Sequence, residues 1–552
     1  MLVFKYFQQL FCVLMNKFTL FAWLGLSSLS FSPSLWADGQ LPAGLLPPPS
    51  AESETFDMLE MQVDGNTALD QPLIEKTLYP FLGNTKTVAD VEKARQTLEA
   101  LYKDKGYPTV LVEIPEQDIV DGLVHLQVVE GKVERLKITG SRYFHLDKIR
   151  NKVPALAAGQ VPYMPNVQEQ VADLGKQSPD REVTPIFRAG STPGKTEVEL
   201  RVKDQLPVHG SVEINGRNSE HTSRARLIGA IRYDNLWQLF HSASLQYQVS
   251  PENNNEVEVW SGTYVMPTGW ADTRLSLYGI GISSNTQLGA NIGSLSVVGT
   301  GTIFGARLIK PLPGADRYSH SLSFGLDTKS FNQGVSQQGQ DQKASPVSYM
   351  PFLVGYDTSW RYPGATTTFN SALHLAIRGL GSSQEQFANR RALASADFAY
   401  LTSELKHLRE LPWDMRLATR ASGQVTNTPL ISNEQFSAGG PQTVRGYHQT
   451  QQLGDDGINL SFELQSPQLK QKNWQFAQNL RLHGFFDYAY LWIEHPLAPS
   501  PSHYRLAGTG AGLRLQFFKH WLGELDWAYP LEKQGTVNVG TQRIDFRLAY
   551  DF

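Results

Sequence analysis

The sequence predicts two small α+β units followed by an antiparallel transmembrane β-barrel of about 16 strands. Three observations predict it. A β-α-α-β-β order occurs twice between residues 56 and 206, repeating after about 75 residues. From Val208 onward helical periods give way to segments of about 10 residues in which apolar and polar side chains alternate, divided by polar turns. The last of these segments closes the chain on an aromatic residue, Phe552.

Composition narrows the function classes. The 552 residues carry a net charge of −4 and only 18% are charged, so no basic face for nucleic acid is expected. Aromatics at 11% and 46 glycines suit a β-rich chain with aromatic girdles. The single cysteine is Cys12, in a segment that reads as an export signal over residues 1–37. There Lys5 and Lys17 supply positive charge, Phe18 to Leu29 an apolar core, and Leu35-Trp36-Ala37 a small residue for cleavage. Met15 offers a second start, since MNKFTLFAWLGL is a complete charged and apolar unit. About 12 apolar residues are too few to span a bilayer. The mature chain is therefore expected to hold no cysteine, which leaves disulfides and thiol chemistry out of its mechanism. Beyond Ala37 no window approaches the roughly 20 apolar residues of a membrane helix, but a barrel hides from that criterion because every second residue faces inward.

Residues 38–55, DGQLPAGLLPPPSAESET, form a Pro-rich linker. In 56–131, MLEMQVDG reads as a strand and LDQPLIEKTLYPFL as a short helix. Thr87 to Lys105 is a strong amphipathic helix, with Thr87 and Asp90 as a capping pair, Val91, Ala94, Leu98 and Leu101 on one face, and Gly106 ending it. PTVLVEI and LVHLQVVEG follow as strands. The order recurs in 132–206: a strand from Val133 to Thr139, helices in FHLDKIRNKV and VQEQVADLG, then strands in REVTPIFRAG and TEVELRV. The element order, with YKDKGY closing the first long helix and PGKTEVELRVKDQLP ending the second copy, resembles POTRA domains, periplasmic modules that take extended peptides onto a strand edge. On residues 57–205 alone, two ordinary α+β domains of other purpose remain the alternative.

In 207–552 the alternation is explicit. HSASLQYQV sets Ala243, Leu245, Tyr247 and Val249 against serines and glutamines. INLSFELQ sets Ile458, Leu460, Phe462 and Leu464 against Asn459, Ser461, Glu463 and Gln465. RARLIGAIRY sets Leu227, Ile231 and Tyr233 against Arg224, Arg226 and Arg232. The oily face suits lipid, and Arg224, Arg226, Arg232 and Glu463 are candidate lumen-lining residues. A soluble sandwich would also alternate, but it would not extend one uninterrupted series over this length. The final strand RIDFRLAYDF places Phe546, Leu548, Tyr550 and Phe552 on one face together with Ile544, and it resembles the C-terminal recognition strand of bacterial outer-membrane barrels.

Between the strand in DMRLATRASGQV and the strand INLSFELQ lies a connection too long for a plain hairpin, about 430–456. It contains SAGGPQTVRGYHQ, in which Gly439 and Gly440 form a turn and Arg445 stands between Val444 and Gly446-Tyr447. Downstream, HGFFDYAYLW puts Phe485, Asp487 and Ala489 on one face of the next strand. A lumen carboxylate and an arginine on an inward-folded loop are natural partners, because guanidinium is always charged and makes two parallel hydrogen bonds to carboxylate. Gly446 leaves space for close approach and Tyr447 offers an aromatic wall.

GGPQTVRGY together with FFDYA resembles the two signature motifs of the outer-membrane insertase superfamily. Two POTRA units before a barrel of this size resemble, within it, the TpsB transporters of two-partner secretion, the ShlB/FhaC/HecB family. GDDG, LAGTGAGLRL and ELDWAYPL also look like that family's barrel strands, so the resemblance covers roughly residues 57–552. It implies a loop folded back into the pore and locked by Val444, Arg445, Gly446 and Tyr447 against Phe485 and Asp487. It also implies an outer-membrane location with the POTRA units in the periplasm. Ala489 stands where the second motif usually has Gly. Some members carry an N-terminal plug helix; Pro47, Pro48 and Pro49 disfavour one here, leaving the Arg445 loop as the expected chief obstruction.

The function expected is secretion of an unfolded partner exoprotein of TpsA type, taken up by strand addition and threaded through a lumen gated by the loop. Outer-membrane lipid and, during biogenesis, the barrel-assembly machinery are the other expected partners; no cofactor, metal or nucleic acid is expected. An insertase that assembles other barrels would use the same lock, but its main members carry about five POTRA units. A passive porin lacks such repeats. An enzyme is not expected: GTGTIFG at 299–305 lacks the Lys-Ser/Thr of a phosphate loop, no serine lies in a nucleophile elbow, and His483 and His503 read as scattered structural histidines.

Overall fold

The computed structural model describes residues 55–552 apart from 221, 271, 285–288, 293–294, 333–335, 338–339, 342–345 and 470–476. The export signal expected over 1–37, with Cys12, and all but Thr55 of the Pro-rich linker expected over 38–55 lie outside the described residues. The chain divides into two compact units at Pro207 and Val208.

The first repeat comprises β1 (Phe56–Met58), β2 (Glu60–Asp64), α1 (Gln71–Leu78), β3 (Gly83–Lys86), α2 (Val88–Asp104), β4 (Leu111–Glu113) and β5 (Leu123–Val129). The second comprises β6 (Lys132–Thr139), α3 (Leu146–Arg150), α4 (Met164–Gln177), β7 (Arg181–Ala189) and β8 (Lys195–Asp204). Both build the same three-stranded sheet: the first strand runs parallel to the last, which lies between it and the middle strand, in the orders β2-β5-β4 and β6-β8-β7. The short two-stranded sheet of β1 and β3, which pair antiparallel across the intervening β2 and α1, is an addition that periodicity does not predict.

Physical chemistry places α2. The capping box between Thr87 and Asp90 is present, satisfying orphan donors of the first turn. Val91, Ala94 and Leu98 are buried as expected, but Tyr102 rather than Leu101 completes the buried face, its hydroxyl donating to Asn66 Oδ1 at 2.7 Å. Glu130 pins the approach to α1, accepting from the Thr67 and Ala68 amides at 2.6 and 2.8 Å. Gly106 ends α2 at φ +95°; an added Cβ would meet the Tyr163 ring and Pro165 at 2.9 Å, so the glycine lets the second repeat abut the first.

The second unit is a closed barrel. Its strands are β9 (Val208–Asn215), β10 (Arg226–Leu236), β11 (His241–Val249), β12 (Val257–Pro267), β13 (Arg274–Ser284), β16 (Gly301–Ala315), β17 (Tyr318–Phe331), β20 (Val347–Tyr362), β21 (Ala365–Gly381), β22 (Ala399–Glu410), β23 (Arg416–Thr426), β26 (Asp456–Gln465), β27 (Ala477–Trp492), β28 (His503–Phe517), β29 (Trp521–Pro530) and β30 (Arg543–Asp551). Each pairs antiparallel with its neighbour, and β30 closes on β9, so these 16 strands leave no edge. Short hairpins β14 (Gly289–Ile292) with β15 (Leu295–Val298) and β18 (Ser336–Gln337) with β19 (Gln340–Asp341) lie in two connections, and β24 (Phe436–Ala438) pairs with β25 (Gln452–Gly454) in a third.

The two faces of every strand differ as a bilayer requires. Leu245, Phe304, Phe324, Leu482 and Ile544 are each half or more exposed on the outside, while the alternate residues Asp327, Lys329, Asn459, Glu463, Asp487 and Asp545 are buried within. Because the strand number is even, Val208 and Phe552 share one rim, where Gly210 and Phe552 exchange backbone hydrogen bonds at 3.0 and 2.9 Å. That rim has short turns bearing Trp237, Trp270, Trp413 and Phe518, all exposed, the interfacial position that amphipathic rings prefer. Long connections lie at the opposite rim. One of them, 382–398, carries the short helix α5 (Gln384–Arg390) and folds inward, so that Phe387, Ala394 and Phe398 pack with Val257, Ile282 and Phe331 of the wall in an apolar cap.

Leu98→Ala, which removes a fully buried side chain, is expected to cost about 2–5 kcal/mol. It should make residues 56–206 sensitive to added protease while the barrel keeps its heat-modifiable migration on a gel.

Candidate functional site

Strand register assembles the site in rows. Arg420 on β23, Ser461 on β26, Asp487 on β27 and Gly508 on β28 stand side by side. The next lumen row toward the Val208 rim is Glu463, Phe485 and Gly510; the one after is Gln465, His483, Gly512 and, on β29, Asp526. Cations, carboxylates and a ring thus share one wall, beside a column of three glycines. That column is a trough: an added Cβ would lie 2.1 Å from the Arg445 carbonyl oxygen at Gly508, 2.6 Å from the Phe485 ring at Gly510, and 2.6 Å from His483 Nε2 at Gly512.

Arg445 enters this trough from the connection 427–455, which begins after β23, is drawn together at its neck by the β24–β25 pair, and returns to β26. The tip turns through Gly439 and Gly440, both at positive φ, with the Thr443 amide donating to Gly440 O at 3.0 Å and the Gly440 amide to Val444 O at 3.1 Å. Gly446, at φ +96°, passes 3.1 Å from the Pro530 nitrogen measured from where a Cβ would stand, so a side chain there meets backbone as well as strain.

The Arg445 guanidinium is almost completely enclosed, and each of its three nitrogens donates a hydrogen bond. Nε and Nη2 donate to the two oxygens of Asp487 at 2.7 and 3.0 Å, and Nη1 donates to Glu463 Oε2 at 2.8 Å. Asp526 Oδ2 lies 3.7 Å away, and the cation sits over the Phe485 ring at 3.5 Å from its centroid. The Arg445 amide adds a bond to Asp487 Oδ2 at 3.1 Å, so one carboxylate holds both side chain and backbone. The surrounding shell completes the carboxylates: Ser461 Oγ donates to Asp487 at 2.6 Å, Arg514 to Glu463 at 3.0 Å and Gln465 to Glu463 at 2.9 Å, while His483 Nε2 lies 2.7 Å from Asp526. Val444 and Tyr447 are buried beside it in an apolar cluster with Ala438, Ala489, Leu491 and Leu506. Tyr447 does more than wall the site, since its hydroxyl reaches Glu532 O at 2.7 Å and Ala507 O at 3.0 Å.

The structure brings together Val444, Arg445, Gly446, Tyr447, Phe485 and Asp487, and it adds Glu463, which the sequence reading had only as a lumen-lining residue. The other three residues expected to line the lumen, Arg224, Arg226 and Arg232, make their contacts away from this wall. Arg224 lies in the connection before β10 rather than in the strand and bonds the Ile544 carbonyl. Arg226 is buried against the carbonyls of Ser223 and Ala225, and Arg232 pairs with Asp234 at 2.8 Å. Asp526 and Arg514 escaped sequence reasoning, and Ser461, read as polar-face, and His483, read as structural, were not placed beside Arg445, because proximity depends on register; the alternate glycines of GTGAG on β28 were the available signal. At the C-terminus Phe546, Leu548 and Tyr550 occupy the lipid-side positions of β30, opposite in parity to buried Asp545 and Ala549, and the Phe552 ring lies against Gly210.

A closed 16-stranded barrel, preceded by paired three-stranded modules and holding an arginine loop in its lumen, defines an outer-membrane transport protein of the POTRA-barrel class. The family model described as "Haemolysin secretion/activation protein ShlB/FhaC/HecB" matches residues 194–515, and one for the ShlB-type POTRA domain matches residues 56–131. The chain belongs to the ShlB/FhaC/HecB family: it is an outer-membrane two-partner secretion transporter whose POTRA units lie in the periplasm. It is 23% identical over 439 residues to the outer membrane transporter CdiB of Dickeya dadantii, spanning 77% of this chain and 73% of that one. It is 20% identical over 474 residues to the heme/hemopexin transporter protein HuxB of Haemophilus influenzae, spanning 82% and 80%. Among solved structures, CdiB from Escherichia coli aligns with TM-score 0.60 at 20% identity over 92% of this chain and 93% of that one. BamA from Haemophilus ducreyi lacking POTRA domains 1–3 aligns with TM-score 0.56 at 14% identity, over 90% and 100%.

Two substitutions test the site itself. Asp487→Ala takes the acceptor from Nε, Nη2 and the amide of Arg445, a loss on the order of 3–5 kcal/mol for that contact, and Gly508→Ala pushes on the Arg445 backbone without changing charge. Both should make the loop susceptible to trypsin added to intact cells, at unchanged barrel abundance; the parent protein should resist.

Proposed function

We propose that the chain exports an extended partner exoprotein through its barrel and that the connection 427–455 is the gate. The observation that carries this reading is the Arg445 seat. A static brace needs only an ion pair, whereas here a long polar segment is led into the lumen, lodged in a glycine trough and held by two carboxylates on neighbouring strands, with a third close by. Such an anchor is strong while complete and weakens sharply when Asp487 is lost, because Nε and Nη2 are then left buried without their acceptors. That is the behaviour a latch requires.

The periplasmic steps follow from the sheets. The POTRA sheets leave β2 and β4, and β6 and β7, as edges, and an extended cargo segment can extend one of them by backbone hydrogen bonding. Pro185 interrupts β7 and removes one donor from that strand. Threading then needs no nucleotide, since folding on the far side prevents return. The family description, haemolysin secretion/activation, and the name of HuxB, a heme/hemopexin transporter protein, support cargo of protein type.

Arg445→Ala and Asp487→Ala are the deciding variants. Each should leave folded barrel in the outer membrane, lower the secreted partner by on the order of tenfold or more, and raise channel openings in planar bilayers. Normal secretion and closed channels in both would overturn the gate; loss of the barrel from the membrane in both would assign Arg445 to a brace.

A further inference from the structure

The same connection is held a second time, on another sector of the wall. Eleven residues before Arg445, Glu434 is buried among β17, β20 and β22. Its Oε1 accepts from Lys329 Nζ at 2.7 Å and also from the Tyr349 hydroxyl, and its Oε2 accepts from the Tyr400 hydroxyl at 2.5 Å. The Glu434 carbonyl accepts from Gln424 Nε2 at 3.0 Å. Lys329 is available to it because its neighbour on the same lumen face, Asp327, is already matched by two bonds from Arg307 at 2.7 and 2.9 Å. The carboxylate thus gathers three donors from three strands, none of which belongs to the Arg445 wall.

At the far end of the connection Asp455 ties in the apolar cap. Arg391, just after α5, donates to both Asp455 oxygens, to Leu430 O at 2.5 Å and to Glu494 O at 3.0 Å. The Leu430 amide donates to Asp455 Oδ1 at 2.8 Å. Leu430 and Ile431, four and three residues before Glu434, join the same buried cluster as Phe387 and Phe398.

We propose that Glu434 is a second anchor of the gate, of opposite charge to the first, and a positioning residue for its opening. It holds the base of the connection, and through Leu430 and Arg391 the apolar cap, to β17, β20 and β22, while Arg445 holds the tip to β26 and β27. Opening the lumen then requires release at both sites, and the cap moves with the Glu434 end. This inference rests on the gate reading above.

The test is the opening frequency of purified full-length channels in planar bilayers, counted per folded barrel as judged by heat-modifiable migration. A merely structural Glu434 would lower the amount of folded barrel without changing openings per channel. Glu434→Gln and Lys329→Met should each raise openings on the order of tenfold. Their combination should do no more than either alone, and Glu434→Gln with Arg445→Ala should exceed both singles. Closed Glu434→Gln channels alongside open Arg445→Ala channels overturn the second anchor alone; closed channels in both overturn the gate itself. Additive effects of the Glu434 and Lys329 changes would also overturn the proposal. Should Glu434→Gln fail to assemble, Tyr400→Phe removes a single donor; it should open several-fold more often than the parent, and parental closure there would refute the anchor.

Discussion

A guanidinium removed from water is the interaction on which the rest of this barrel's interior depends. Once Arg445 is enclosed, its nitrogens need acceptors, and each finds one on a side chain of two adjacent strands. That requirement places Asp487 and Glu463 on the lumen face at a fixed separation and brings Ser461, Gln465 and Arg514 in to complete the carboxylates. It also strips side chains from Gly508, Gly510 and Gly512, where the loop and its seat must sit close to the wall. A local charge therefore dictates composition over several strands.

The barrel tolerates this polar interior because its closure already satisfies the backbone. Each strand pairs on both sides, so the lipid face needs only apolar side chains, and the lumen face is free to carry ion pairs. The lumen is filled in two chemistries. An apolar cap on the connection bearing α5 packs at the rim away from Val208, and a charged connection occupies the lumen beside it. Apolar packing gives the cap bulk without direction, whereas paired charges give the connection a fixed place that is lost when a partner is removed. In the reading proposed here, Arg445 and Glu434 use that difference: each belongs to a separate set of strands, and neither set alone holds the whole segment.

Much of the architecture was legible in the chain because it rests on short-range periodicity. The capping pair Thr87 and Asp90, the face Val91-Ala94-Leu98 and the alternation in INLSFELQ depend on residues a few positions apart. The exchange of Leu101 for Tyr102 shows the limit, since a polar hydroxyl was buried only because Asn66, remote in sequence, could accept from it. The Arg445–Asp487 pair was legible for another reason: two short motifs carry it, and together with the paired modules they resemble one family.

Periodicity thus determined the repeated modules, the barrel and its lipid and lumen faces, and the resemblance of two motifs to a family pointed to the principal ion pair. Only the tertiary structure decided which carboxylates share Arg445, that Arg224, Arg226 and Arg232 are occupied elsewhere, and that Glu434 meets Lys329, Tyr349 and Tyr400. The physical reason is register. Alternation tells which face a side chain takes, but a row across a barrel is set by how neighbouring strands slide before their hydrogen bonds lock. Glu434 lies on no strand at all, so its partners exist only once the connection has folded into the closed lumen.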